Sequence, residues 1–238
     1  MIRPTHVSDG LPPAIIRLSA LAPLDPAALS ALGDAMAEAR VVRARRDLVS
    51  EGREITQPLL LLTGWAARVR LLPDGRRQFL SFVLPGDLIG ACDHPRPLAV
   101  ATITALSEVQ VCPLPPAVAR SPLHVAYAVS RAFDEGYLLA QVTRLGRLNA
   151  QERIADLLLE LHERLTLNGM TDGNAFDLPL TLETLADALG LTSVHVNRML
   201  QQARREGDMQ WKAGHVHLTD PATLARKIGH VPVRVSGE

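Results

Sequence analysis

Aromatic residues make up only 3% of this 238-residue chain, and it has just two cysteines, Cys92 and Cys112. Two thiols cannot build the disulfide framework of a small secreted domain, nor by themselves the four-thiolate shell of a usual iron–sulfur cluster, so both are expected to be reduced. Long apolar runs are missing too: stretches such as Pro58–Leu62 and Leu138–Ala140 fall far short of the roughly 20 residues a membrane span needs. No charged segment leads into an apolar secretion signal. These absences set the expectation of a cytoplasmic protein with no membrane partner. Net charge is absent as well, at +0, so any nucleic-acid footprint would have to be local.

Apolar residues are plentiful at 47%, enough for a chain of this length to bury one or two cores. Residues 1–22 hold Pro4, Gly10, Pro12 and Pro13 with little periodicity, and predict a loosely ordered N-terminal arm. Asp25-Pro26 then supplies an N-cap and a first-turn proline for a helix reaching about Arg40, with Leu29, Leu32 and Met36 at helical spacing. From Val41 to Pro115 short apolar stretches alternate with turns at Gly52, Gly64, Pro73-Asp74-Gly75 and Pro85-Gly86-Asp87. The Asp74-Gly75 pair between two apolar runs is a hairpin signal, and the regular strand spacing predicts an antiparallel jelly roll within residues 23–119.

No proline interrupts the chain between Pro122 and Pro179. A helix from about Ser121 to Leu148, within residues 120–149, would be roughly 40 Å long. Val125, Val129, Phe133, Gly136, Ala140 and Thr143 form a stripe along it at spacings of three and four. Its small residues admit close backbone approach, so a parallel helix pair across a two-fold axis would bury it; a helix lying on its own barrel is the alternative. Asn149 with Glu152 predicts a capping box opening the next helix, which places a hinge at Arg147 to Ala150. Residues 150–230 read as a further domain and residues 231–238 as a tail.

Within that domain Leu182 to Arg205 has the logic of a helix-turn-helix. Thr181 and Thr192 can cap the two helices, Ala186 is small where they cross, Gly190 sits at the turn, and Val196 plugs the shared interior. On the second helix Val196, Met199, Leu200 and Ala203 form the inner stripe, which turns Val194, Arg198, Gln201 and Arg205 outward. Arg198 suits guanine, Asn197 and Gln201 suit adenine, and the methyls of Val194 suit thymine. Thr192, Ser193 and His195 flank this face, and Arg205 is placed to meet phosphate. Met209–Trp211 and His215–Leu218 bracket Lys212-Ala213-Gly214 as a two-stranded wing, with Lys212 at a phosphate. His215 and His217 share a strand face, but no third ligand stands nearby in sequence, so no metal is expected. Asp220-Pro221 predicts a closing helix.

With these segments in place, the chain resembles the Crp/Fnr superfamily from about Leu24 to Ile228. Phe176–Thr181, Leu185–Thr192 and His195–Arg198 read like the helix-turn-helix of that superfamily, and Pro85–Gly90 resembles its cyclic-nucleotide-binding barrel. The resemblance implies an α+β fold: an N-terminal antiparallel β jelly roll as sensor, a long dimerisation helix and a C-terminal winged helix-turn-helix. It implies a homodimeric transcription regulator on inverted-repeat double-stranded DNA with RNA polymerase as a partner, and no enzyme activity. Cyclic-nucleotide-binding members carry a glutamate after the Gly90 position and an arginine–serine pair some residues later. Here Ala91 follows Gly90, and Ala99-Val100 stand where the pair should lie, with Arg96 the one substitute. Cyclic AMP is therefore not an expected effector, and no cofactor is required.

Three other readings stay open. Gly90, Ala91, Cys92, His94 and Arg96 form a candidate ligand pocket, because Cys92-Asp93-His94 lies roughly where haem-sensing relatives place an axial ligand; haem or another small molecule would make the chain a redox or ligand sensor. A metal-dependent jelly-roll enzyme fused to a helical domain would need several histidines in the barrel, where only His94 is present. A helix-turn-helix that binds only a protein partner is the third.

Overall fold

The computed structural model describes residues 10–236. Two helices open the described chain, α1 (Pro13–Leu21) and α2 (Pro26–Ala37). Eight strands follow: β1 (Arg40–Val42), β2 (Asp47–Val49), β3 (Leu59–Thr63), β4 (Ala66–Leu71), β5 (Arg77–Val83), β6 (Leu88–Ile89), β7 (Thr102–Ala105) and β8 (Val109–Pro113). They form two four-stranded antiparallel sheets, ordered β1-β8-β3-β6 and β2-β7-β4-β5, as expected of a jelly roll. Strand β3 shows how the sequence divides itself between two cores. Successive side chains of a strand point to opposite faces. Leu59 and Leu61 accordingly meet Val83, Ile103, Val109 and Val111, whereas Leu60 and Leu62 join Leu18, Leu32 and Leu123 beneath the helices.

The N-terminal arm is corrected by α1. Residues 13–21 are not loosely ordered but helical, with Ala14, Arg17 and Leu18 buried. Arg17 disguises the apolar face, and it tolerates burial because Nη2 lies 2.8 Å from Asp87 while Nε donates to Gly86 O at 3.3 Å. Residues 1–9 of the predicted arm lie outside the described residues.

Helix α3 (Pro122–Arg147) is capped by Ser121 and packs on α1 and β5. Its 26 residues span about 39 Å. Helix α4 (Ala150–Leu167) opens on the expected capping box, in which Asn149 accepts from Glu152 N and the Glu152 carboxylate accepts from Asn149 N. The rest is β9 (Thr171–Asp172), β10 (Ala175–Asp177), α5 (Leu182–Leu189), α6 (Ser193–Arg205), β11 (Met209–Lys212), β12 (His215–Leu218) and α7 (Pro221–Ile228). The wing is larger than the predicted two strands. It belongs to a four-stranded sheet ordered β11-β12-β10-β9, because Phe176 pairs with Val216 on one side and Thr171 on the other.

One apolar cluster joins Trp65, Phe79 and Phe82 of the barrel to Leu157, Leu161, Leu189 and Val196 of the C-terminal region. A buried chain of charges runs alongside it. Asp87 accepts from Arg164 at 2.7 Å, Arg164 meets Glu160 at 3.3 Å, and Glu160 and Asp156 take Arg144 at 2.6 and 2.8 Å. The Arg164 guanidinium also lies over the Tyr137 ring, 4.3 Å from its centroid. Each charge is compensated by a neighbour, which is the condition for burying it.

Candidate nucleic-acid interface

The turn between α5 and α6 is built as its residues dictate. Gly190 adopts φ 62°, where a side chain would be strained, and its N–H returns to Ala186 O. Thr181 Oγ1 accepts from Thr184 N, and Thr192 Oγ1 accepts from His195 N. Val196 and Ala203 of α6 are buried, with Met199 and Leu200 half-buried beside them. The opposite face carries Val194, 80% exposed, with Asn197, Arg198, Gln201 and Arg205 also exposed. Thr192 is exposed at the helix entrance, and Ser193 and His195 are half-buried there.

Charge pairing sorts the basic residues more sharply than exposure does. Lys227 is held by Glu206 at 2.8 Å and Asp208 at 2.6 Å, and Arg226 donates to Thr223 Oγ1. Arg198, Arg204, Arg205 and Lys212 have no ion-pair partner among the described residues. Glu206, at the end of α6, does not cancel them. Hydrogen bonds from Lys227, Gln202 and Gln151 hold its carboxyl down at about 2, and they tie its charge to α4 and α7. Beside α6 the wing turns through Ala213 (φ 52°) and Gly214 (φ 80°), with Lys212 exposed at its tip. A groove of about 400 Å³ separates α6 from the wing, lined by Leu182, Asn197, Gln201, Arg204 and Trp211 among others. Unpaired cations, amides and an exposed valine on one helix, with a basic loop alongside, are the elements of major-groove reading and phosphate contact.

Matches to known proteins follow the same division of the chain. Residues 152–227 match the Crp-like helix-turn-helix domain, and residues 39–121 match the cyclic nucleotide-binding domain. Transcriptional activator protein FnrL of Cereibacter sphaeroides is 30% identical over 201 residues, 80% of each chain. The chain belongs to the Crp/Fnr family. Its members are DNA-binding transcription regulators, and this chain is one of them. Nitrogen fixation regulation protein FixK of Bradyrhizobium diazoefficiens is 34% identical over 171 residues, 69% of this chain and 70% of its own. The fold matches the structure of FixK2 from Bradyrhizobium japonicum with a TM-score of 0.67 at 24% identity, over 83% of this chain and 98% of that one.

The segment from Gly90 to Val100, which the resemblance likens to a nucleotide-binding loop, makes its own contacts within the chain. A Cβ on Gly90 would come within 2.8 Å of Ile55 Cγ2, so the Ile55 side chain packs directly against this glycine. Arg96 is exposed and already bonded to both carboxylate oxygens of Glu54, the nearest at 2.8 Å. Backbone bonds from Gly52 N to Ala99 O and from Ala99 N to Arg53 O stitch the segment down, with Ala99 buried and Val100 exposed. Gly90 and Ala91 are half-buried, whereas Cys92 and His94 are exposed. Among the described residues, no group of three or more His, Cys, Asp or Glu could hold a metal ion, and no helix is long and apolar enough to cross a membrane.

Helix α3 presents a different outer face from the predicted stripe. Val125 and Thr143 are exposed, but Val129, Phe133, Gly136 and Ala140 are half-buried. Phe133 stacks on Tyr137 at 5.8 Å, and Val233 of the C-terminal tail lies against Gly136, so part of the stripe is covered within the chain. The row left most open contains Val125, Ala128, Ala132, Leu139 and Val142. The inner face is Leu123, Ala126, Tyr127, Ser130, Tyr137, Gln141 and Arg144. Its polar members were missed because their partners sit on other elements.

Proposed function

We propose that the chain acts as a homodimer on an inverted repeat, with two α3 helices paired across the two-fold axis and one α6 in each of two successive major grooves. The observation that carries this reading is the unpaired polar and cationic face of α6, formed by Thr192, Ser193, Val194, His195, Asn197, Arg198, Gln201 and Arg205, with Lys212 on the wing. Such a face has more to gain from base edges and phosphates than from water, because each phosphate contact releases condensed counterions. The dimer reading is supported by Leu139 and Val142, 61% and 69% exposed on a helix of about 39 Å. The pairing row is thus shifted around α3 from the predicted stripe, retaining Val125 and Thr143 and adding Leu139 and Val142.

Because FnrL and FixK are described as a transcriptional activator and a regulator of nitrogen fixation, RNA polymerase is the protein partner proposed for the DNA-bound dimer. The site of action is the compartment that holds the DNA, and the work is binding rather than catalysis. Cyclic AMP is not the effector in this reading, since Arg96 is taken by Glu54 and Ala91, Ala99 and Val100 offer no polar side chain. No haem or other cofactor is assigned.

Leu139→Glu tests the pairing. Two carboxylates brought together at an apolar seam resist burial. The substitution should turn the dimer into monomer in sedimentation and abolish binding to a palindrome while half-site contacts survive at low salt. A dimer of unchanged mass would remove α3 from the interface.

A further inference from the structure

The last turn of a helix leaves carbonyl groups without intrahelical partners. In α5, the first helix of the helix-turn-helix, these carbonyls are taken by side chains from three other elements. Ala188 O accepts from Gln141 Nε2 of α3 at 2.7 Å, and Leu189 O accepts from Arg153 Nη1 of α4 at 3.0 Å. Asp187 O accepts from Gln78 Nε2 of β5 at 3.4 Å, while the Asp187 carboxylate takes Arg77 Nε of the same strand at 2.7 Å. Donors around a helix C-terminus also face the negative end of its dipole.

Gln141 is the centre of this socket. It is buried, it donates to both Ala188 O and Phe79 O, and its own oxygen accepts from Arg144 Nη1 at 2.6 Å. Arg144 in turn is fixed by Asp156 and Glu160. One amide therefore ties the long helix, the barrel and the DNA-reading unit together. The other end of α5 is held more loosely, by a 3.8 Å ion pair between Glu183 and Arg77. Thr181, Glu183 and Thr184 face Val69, Phe79 and Thr102 across a cleft of about 560 Å³. Closely hydrogen-bonded at its C-terminus and only loosely paired at its N-terminus, α5 has its pivot at the socket.

We infer that Gln141, supported by Arg77, is a positioning residue that sets the distance between the two recognition helices and so determines which half-site spacing the dimer accepts. The inference rests on the dimer reading above. Two rigidly placed α6 helices fit half-sites about 34 Å apart, and one inserted base pair moves a half-site by about 3.4 Å. A rigid dimer pays for that displacement in lost simultaneous contacts, whereas a loosened one absorbs it.

The test uses the full chain and the palindrome recovered by binding selection, with its centre lengthened or shortened by one base pair. The wild type should lose about tenfold or more in affinity on either altered spacing. Gln141→Leu, which keeps the bulk and removes the hydrogen bonds, should reduce that penalty to about threefold while half-site binding stays unchanged. Arg77→Ala lies at the surface and leaves the buried amide in place, so it should fold normally and reduce the penalty by a smaller factor. If Gln141→Leu does not fold, Arg77→Ala decides. Folded variants that keep the wild-type penalty would overturn the inference while leaving the dimer reading intact. A wild-type dimer indifferent to spacing would also overturn the inference, and a wild type that sediments as a monomer would overturn the dimer reading beneath it.

Discussion

Arg198 on α6 and Arg96 on the loop between β6 and β7 are both exposed arginines, yet Arg96 has the Glu54 carboxylate at 2.8 Å and Arg198 has no ion-pair partner among the described residues. Arg96 lies in the segment matching a cyclic nucleotide-binding domain, and Arg198 lies in the segment matching a Crp-like helix-turn-helix. Exposure and residue type are the same in both places. Pairing is what differs, and it underlies the proposal for the working surface: the barrel loop satisfies its own cation internally, whereas α6 leaves its cations available to an outside partner. The same contrast sorts the C-terminal domain, where Lys227 is spent on Glu206 and Asp208 and Lys212 is left open.

The largest expected effect lies in the buried charges that join the two regions. Arg164→Ala removes one of two cationic partners from each of Asp87 and Glu160, leaving Arg17 and Arg144, and should cost about 3–5 kcal/mol of stability, measured by urea unfolding. A loss below about 1 kcal/mol would mean that water reaches these groups and that the barrel and the DNA-reading unit are coupled by apolar contact alone.

A pH profile sharpens the same point from the other end of the chain of charges. Burial disfavours the His230 cation, but hydrogen bonds to Asp156 at 2.6 Å and Glu163 at 3.1 Å outweigh it and raise the pKa from 6.5 to about 9. A folded-state pKa above the unfolded one stabilises fully below about 6.5 and loses that contribution as the pH rises through about 9. Unfolding free energy should therefore decline across this window in the wild type and flatten in His230→Gln. Parallel profiles for the two proteins would show the imidazole to be uncharged at neutral pH.

The smallest effect is expected where the charge is already paired. Arg96→Ala should leave the melting temperature and DNA affinity unchanged, because an exposed ion pair of this kind contributes little. Calorimetric titration with cyclic AMP should give no binding heat with either protein. Micromolar binding by the wild type alone would show that Arg96 leaves Glu54 for a phosphate and would erase the contrast with Arg198.

Much of the fold could be read from local signals. Asp25, Asn149, Thr181, Thr192 and Asp220 each cap the helix they were expected to cap, Gly190 takes the positive φ of the turn, and Asp74-Gly75 closes the hairpin of β4 and β5. Each of these signals acts within a few residues. What escaped depends on partners far away in sequence. The apolar period of α1 is broken by Arg17, whose carboxylate stands 70 residues later at Asp87. Ser130, Gln141 and Arg144 are polar and give no local sign of burial, yet they lie on the inner face of α3, where Gln141 meets Ala188 and Arg144 meets Glu160. Strands β9 and β10 are two and three residues long, too short for alternation to register. The outer face of α6 was legible because a single amphipathic helix displays it without help from elsewhere.

That face is tested most directly by binding selection on randomised DNA with the wild type, Arg198→Ala and Lys212→Ala. The wild type should recover an inverted repeat. Arg198→Ala should lose about 1–3 kcal/mol on the best sequence and flatten the preference at one symmetric base pair in each half-site. Lys212→Ala should weaken all sequences equally and lower the salt slope by about one unit, as loss of a phosphate contact requires. An unchanged motif with Arg198→Ala and an altered one with Lys212→Ala would contradict the assignment of α6 to the bases and the wing to the backbone.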